Sequence, residues 1–493
     1  MNSTNATIRR LPTGVSGLDV ILGGGIPEFS FNLIAGSPGA GKTTLAHQMM
    51  FAMATPERPA LYFTVLGEPA LKMLRYQQQF DFFDPDRITS SIRFVNLADD
   101  TANGDLDKVL ARIVDEVRNH APGFVFVDSF RSVILASQGK GASFLGLQEF
   151  IQRLGILLTT WEATTFLLGE YFSDNDPNPI FTVADGLVWL RQSAQRNSVV
   201  RKLEIVKMRG QPTVPGLHSF RITQAGLKVF PPPVVAPKLE TGAVPPLQDR
   251  RSVGVPGLDD MLGGGLPRGY SLLVAGPSGS GKSILAAAFL AEGARQGETG
   301  VIAAFEQRTL QSRGAVISEL IEDGRVGVID SRATTLSVDE IAMLLIEEVQ
   351  RLKATRVVID SLSGFELAIA PAFRDDFRES LSRLVSALAD TGATVLMTSE
   401  LEDRYSELSF SPYGTAFLTD AIIVQRYIEV DSRLERVLAV VKVRGSAHSH
   451  ELRLFDIDGN GLQLGPRLLG HEGLLGGRPT RIGGASNPDD PRA

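Results

Sequence analysis

Three kinds of hydrophobic pattern divide the chain. Short runs that are apolar almost throughout, at 31–35, 60–66, 123–128 and 164–170, read as strands covered on both faces. Leu106, Val109, Leu110, Ile113, Val114 and Val117 instead recur at intervals of three and four, which predicts a helix over about 105–119 with one buried face. A further helix is expected from Lys42 to Met53. The same strand order returns at 271–275, 300–305, 356–360 and 393–400. Strands alternating with helices predict an α/β fold, each half being a mostly parallel sheet flanked by helices. Late in each half the strands follow one another without helices, at 181–190, 198–206 and 217–223, then at 419–428, 435–443 and 450–456. These are expected to be antiparallel additions to the sheet edge.

The repetition extends to residue identity. Gly14-Val15-Ser16-Gly17-Leu18-Asp19 returns as Gly254-Val255-Pro256-Gly257-Leu258-Asp259, and Leu22-Gly23-Gly24-Gly25-Ile26-Pro27 as Leu262-Gly263-Gly264-Gly265-Leu266-Pro267, at a constant offset of 240 residues. A period this long signals duplicated domains, since solenoid repeats run about 20–50 residues. Between the copies, Phe230-Pro231-Pro232-Pro233-Val234-Val235-Ala236-Pro237 and Pro245-Pro246 read as an extended linker. The expected organisation is a first domain over 1–230, a linker over 231–250, a second domain over 251–464 and a flexible tail over 465–493.

Composition narrows the chemistry. With 493 residues, 43% apolar and 21% charged, the chain is long enough for two or three globular cores. Its net charge of −7 argues against a surface built to neutralise nucleic-acid phosphates, although a local basic groove would survive in such an average. The absence of cysteine excludes disulfides, thiolate metal sites and a cysteine nucleophile, in keeping with a reducing cytoplasm. The first ten residues lack the apolar core of a secretory signal, and no apolar run reaches the roughly 18 residues of a membrane span, so neither export nor a membrane partner is expected.

The strongest chemical signal is a phosphate loop, present twice. Gly36-Ser37-Pro38-Gly39-Ala40-Gly41-Lys42-Thr43, with Thr44 behind it, and Gly276-Pro277-Ser278-Gly279-Ser280-Gly281-Lys282-Ser283 both fit G-x-x-x-x-G-K-[ST]. Glycines let the loop turn its N–H groups around phosphate, the lysine reaches the β- and γ-phosphates, and the hydroxyl ligates Mg²⁺. ATP and Mg²⁺ are therefore the expected cofactors. The apolar runs ending in Asp128-Ser129 and Asp360-Ser361 are Walker B candidates, whose carboxylates hold Mg²⁺ through water, or else cap a neighbouring helix. Glu68 and Glu306, shortly after the next strand of each copy, are candidates to orient the attacking water, the alternative being first-turn helix acids. Glu170 and Glu400 either sense nucleotide or make polar contacts at the sheet edge, and Asp19 and Asp259 read as structural residues of the lead-in turn. Finally, Val206-Lys207-Met208-Arg209-Gly210 matches Val441-Lys442-Val443-Arg444-Gly445. A lysine and an arginine two apart on a strand share a face, so each pair could reach a neighbouring subunit's phosphate or form a solvated cationic edge.

Taken together, the lead-in glycines, the loops, the Asp-Ser strand ends and the K-x-R-G strands resemble the KaiC family of RecA-superfamily ATPases over roughly residues 8–465. The resemblance implies two tandem RecA-like P-loop domains, a two-tiered homohexamer with ATP at the subunit interfaces, and Lys207, Arg209, Lys442 and Arg444 as contacts in trans. It also implies an ATP-hydrolysing regulatory protein with an unidentified protein partner. Clock members of the family phosphorylate themselves on an adjacent Ser-Thr pair just before an I-T-D segment. Aligning Leu418-Thr419-Asp420 to that segment puts Ala416 and Phe417 at the acceptor positions, with Thr415 and Thr419 as the flanking hydroxyls. The paired catalytic glutamates of the family are incomplete as well, because Gln307 follows Glu306 and Gly67 precedes Glu68. A self-phosphorylating switch remains one alternative. A DNA-dependent recombinase or helicase is another, although the stretch from Arg131 to Ala142 offers only Arg131 and Lys140, and Asp174-Asn175-Asp176 is acidic.

Overall fold

A computed structural model describes residues 8–65, 70–101, 104–138, 144–172, 178–195, 198–233, 249–305, 314–330, 337–368, 377–401, 418–430, 432–467, 471–472 and 480–481. The chain divides into two compact units, Met1–Pro231 and Pro232–Ala493.

The first unit is a nine-stranded sheet. Its strands are β1 (Phe31–Gly36), β2 (Ala60–Thr64), β3 (Ile92–Asn96), β4 (Phe124–Asp128), β5 (Thr164–Glu170), β6 (Gly186–Gln195), β7 (Ser198–Met208), β8 (Leu217–Thr223) and β9 (Gly226–Phe230). Across the sheet they run β3-β2-β4-β5-β1-β6-β7-β8-β9. Every pair from β3 to β6 is parallel, and every pair from β6 to β9 is antiparallel. Alternate residues of each parallel strand face opposite cores, as the pleat requires. Ile34, Tyr62 and Phe126 pack with Leu45 and Met49 of helix α1 (Lys42–Met53). Leu33, Phe63 and Val127 pack with Ile113 and Val117 of helix α2 (Leu106–His120). Asp105 starts α2 by accepting from the N–H groups of Asp107 and Lys108, a side-chain cap of the usual kind.

The second unit repeats this plan with β10 (Ser271–Gly276), β11 (Gly300–Ala304), β12 (Val326–Asp330), β13 (Arg356–Asp360), β14 (Thr394–Glu400), β15 (Ala421–Val430), β16 (Arg433–Val443), β17 (Leu452–Asp458) and β18 (Gly461–Arg467). The order β12-β11-β13-β14-β10-β15-β16-β17-β18 matches the first sheet position for position. Helix α3 (Lys282–Arg295) takes the place of α1, and α4 (Val338–Leu352) that of α2.

Two expectations need correction. The strands expected as wholly antiparallel additions include β6 and β15, which pair parallel with the loop strands β1 and β10 and turn antiparallel only on their outer side. Residues Ile180–Val183 are a short helix, so the run at 181–190 begins as a strand only at Gly186. The sheets are also wider than expected. Strands β3 and β12 close one edge of each sheet, and β9 and β18 are returns of tight hairpins whose turns include Gly226 (φ 99°) and Gly461 (φ 103°).

The lead-in turns account for Asp19 and Asp259. Asp19 accepts from the Thr13 N–H at 3.0 Å, and Asp259 from the Val253 N–H at 2.7 Å and the Ser252 hydroxyl at 2.6 Å.

Candidate nucleotide sites

Each phosphate loop leaves the C-terminal end of the central strand of its sheet and enters a helix that no side chain caps. The N-cap residues are Gly41 (φ 105°) and Gly281 (φ 97°), a left-handed conformation that strains any residue with a Cβ. The first N–H groups of α1 and α3 are therefore left without side-chain acceptors at the positive ends of their helix dipoles. That arrangement receives an anion.

The residues around the loops fit a metal nucleotide. Lys42 donates to the carbonyls of Gly36 and Ser37, both at 2.9 Å, and Lys282 to those of Gly276 (2.9 Å) and Pro277 (2.7 Å). Both lysines are thus folded over the loop, positioned to exchange carbonyl partners for phosphate oxygens. Burial holds the Lys42 ammonium below its usual range, opposed by the carboxylates of Glu170 and Asp128. Glu170 and Glu400 are exposed and level in register with Gly36 and Gly276, at the same sheet edge as the loops. In the second unit a cavity of about 350 Å³ is lined by Ser278, Lys282, Ser283, Asp360 and Glu400.

Both Walker B aspartates end their strands as expected, and their bonds to Ser129 and Ser361 are both cis. In the first unit, Asp128 Oδ2 accepts from the Thr43 hydroxyl at 2.9 Å and from the Tyr62 phenol at 2.8 Å. Burial pushes the Asp128 carboxyl up, against the two hydroxyl donors and Lys42, which pull it down. Burial, and then the nearby Asp128 charge, keeps the Tyr62 phenol well above its usual range. In the second unit Asp360 is 3% exposed and accepts from the Thr398 hydroxyl through Oδ1. Neither Tyr62 nor Thr398 was expected from the sequence. The available signal was a hydroxyl inside a mainly apolar buried strand, which gains by finding an acceptor.

Lys207, Arg209, Lys442 and Arg444 do not reach their own loops. Met208 is level with Gly186, and Gly186 with Asn32, four residues before Gly36, about 13 Å at the usual strand rise. There Lys207 donates to the carbonyls of Thr182 (3.1 Å) and Ala184 (2.6 Å), while Arg209 pairs with Asp185 at 3.0 Å. Lys442 and Arg444 likewise hold the Thr419 carbonyl (2.7 Å) and Asp420 (3.2 Å). A β-bulge precedes each pair, where the register skips Val206 and Val441. Partial burial and then the adjacent arginine lower the ammonium of both Lys207 and Lys442.

Glu68, Glu306, Gln307, Thr415, Ala416 and Phe417 lie outside the described residues, as do residues 234–248 of the expected linker and most of the expected tail. Thr419 is 0% exposed. No helix among the described residues is long and apolar enough to cross a membrane.

Comparison with known proteins agrees with this geometry. The ATPase family KaiC matches residues 11–234 and again 251–468. A circadian clock oscillator protein KaiC of Rippkaea orientalis is 27% identical over 97% of this chain and 93% of its own length. Circadian clock oscillator protein KaiC 1 of Synechocystis sp. is 27% identical over 96% of this chain and 92% of its own. For the Prochlorococcus marinus KaiC the figures are 26%, 100% and 98%. With a nucleotide-binding phosphate loop at matching places in two RecA-like units, and the family matched over both, the chain belongs to the KaiC family of ATPases.

Proposed function

We propose that the chain is a cytoplasmic, ATP-driven regulatory protein that assembles into a hexamer, binds ATP·Mg²⁺ at both loops and acts through a protein partner. The loop N–H groups of residues 36–44 and 276–283, Pro38 and Pro277 excepted, hold the phosphates, and Lys42 and Lys282 bind the β- and γ-oxygens. Thr43 with Asp128, and Ser283 with Asp360, hold the metal and its waters. When bound, Mg²⁺ neutralises charge on the phosphoryl oxygens. Glu68 and Glu306 orient and deprotonate the attacking water.

Lys207, Arg209, Lys442 and Arg444 act on the nucleotide of a neighbouring subunit. The observation that carries this assignment is their placement level with the start of the loop strand, where each ammonium is depressed beside an arginine. Two cations held side by side against one aspartate carry positive charge that a phosphate would offset. Self-phosphorylation is not part of the reading, since Ala416 and Phe417 carry no hydroxyl and Thr419 is buried.

The test is size-exclusion chromatography with a phosphate-release assay, with and without ATP. ATP should shift the wild-type chain to a hexamer that releases phosphate. Mixing Lys42→Ala/Lys282→Ala chains with Lys207→Ala/Arg209→Ala/Lys442→Ala/Arg444→Ala chains should restore turnover in mixed rings. A monomer that releases no phosphate contradicts the whole reading, and mixtures no more active than the sum of their parts contradict the trans assignment.

A further inference from the structure

We propose that Tyr62 is a positioning residue for the metal shell of the first phosphate-loop site, a role that rests on the assignment of Thr43 and Asp128 to Mg²⁺. Tyr62 lies on β2, the parallel neighbour of β4, and is level with Phe126. Its side chain shares the α1 face of the sheet with Phe126, and its phenol reaches forward to the carboxylate two residues on.

A carboxylate oxygen offers two lone-pair directions. Asp128 Oδ2 gives both to hydroxyls, at 2.9 Å from Thr43 and 2.8 Å from Tyr62. The acceptor capacity left for a metal-bound water is then on Oδ1. The Thr43 hydroxyl can keep its donation to Oδ2 while its oxygen lone pair faces a cation. The phenol therefore selects which carboxylate oxygen turns toward the metal shell, before any metal arrives.

The phenol can do this because it cannot move. Tyr62 is 0% exposed, with its ring 4.7 Å from that of His47, 5.4 Å from Phe94 and 5.9 Å from Phe126. The second site has no tyrosine at that place, for β11 carries Ile302 at the matching register position opposite Val358. There the hydroxyl comes from Thr398 on β14, the strand flanking β13 on its other side, and it reaches Oδ1. The two Walker B carboxylates are thus braced from opposite neighbouring strands. Second-sphere partners of this kind typically change metal affinity by about 10–100-fold when lost.

The experiment uses the full chain carrying Lys282→Ala, so that only the first loop reports, with fluorescent-labelled ADP as the probe. Binding is titrated with Mg²⁺ and repeated in EDTA, with a thermal melt alongside. Adding Tyr62→Phe should raise the half-saturating Mg²⁺ concentration about tenfold, while probe affinity in EDTA changes less than about twofold. An unchanged Mg²⁺ midpoint overturns the proposal. So does a parallel loss of EDTA affinity or a collapsed melt, since either makes Tyr62 a folding residue. A Lys282→Ala parent whose binding ignores Mg²⁺ would overturn the metal assignment as well, an outcome distinct from failure of Tyr62 alone.

Discussion

The two units grip phosphate in the same way and brace what surrounds it differently. Their loop sequences, uncapped helix starts and lysine–carbonyl contacts correspond, whereas the Walker B aspartate takes a phenol from β2 in the first unit and a threonine hydroxyl from β14 in the second. The interiors diverge likewise. At the first position of the Walker B strand the first unit has Phe124, with the Arg58 guanidinium 5.0 Å from its ring centre. The second has a fully buried Arg356 that pairs with Glu298 at 2.5 Å and donates to the carbonyls of Ser252 (2.7 Å) and Phe289 (2.9 Å). Backbone geometry fixed by phosphate leaves little room for change in the loop, while a carboxylate accepts a donor from whichever strand supplies one. Between the two copies of this chain the grip is kept and its bracing differs.

The sharpest way to break this comparison is through the lysines. Lys42→Ala should cost on the order of a hundredfold in turnover at the first site and Lys282→Ala as much at the second, so that phosphate release from each single variant comes from its intact site and the double variant releases almost none. Unequal residual rates would show which unit carries more of the turnover.

Stability should separate the units next. Arg356→Ala removes a buried ion pair and two hydrogen bonds to carbonyls and leaves Glu298 with Arg251 alone, at a cost of about 3 kcal/mol, and the loss should appear in the second unit alone. Hydrogen exchange resolved by segment checks it, and equal loss of protection in both units would contradict it.

Acid provides a smaller contrast. His47, on α1 beneath Tyr62, is 0% exposed, and burial holds its imidazole down at about 4 from 6.5, opposed only by the nearby Gln77 side chain, which favours the protonated ring. The unfolded chain binds a proton below pH 6.5 that the folded chain refuses until about pH 4. The neutral ring therefore costs no stability above pH 6.5, and the first unit loses up to about 3 kcal/mol as pH falls through that window. Ala287 occupies the corresponding position on α3. Melts of His47→Leu between pH 7 and 4.5 should be flatter than those of the parent, and parallel curves would rule His47 out as the cause.

Much of this was legible in the sequence, and what was not has identifiable reasons. The 240-residue offset, the loops and the apolar strands fixed the duplication and the parallel core, because phosphate binding and two-sided burial each demand a narrow range of residues. The strand direction of β6 was misjudged because helix Ile180–Val183, which precedes it, is only four residues long and carries no amphipathic pattern. Strands β3 and β12 escaped notice because Arg93 and Asn96, and Gly327 and Asp330, interrupt their apolar runs. Tyr62 and Thr398 offered only a hydroxyl in a buried strand as a signal, because their roles depend on strand order, which places β2 and β14 beside the Walker B strands.

Nucleotide stoichiometry tests the central claim most directly. Labelled ADP titrated against a known concentration of folded chain in saturating Mg²⁺ should bind at about two per chain in the wild type, about one in Lys42→Ala or Lys282→Ala, and none in the double variant, as two phosphate loops require. One nucleotide per wild-type chain, or a stoichiometry unchanged by either substitution, would contradict the account.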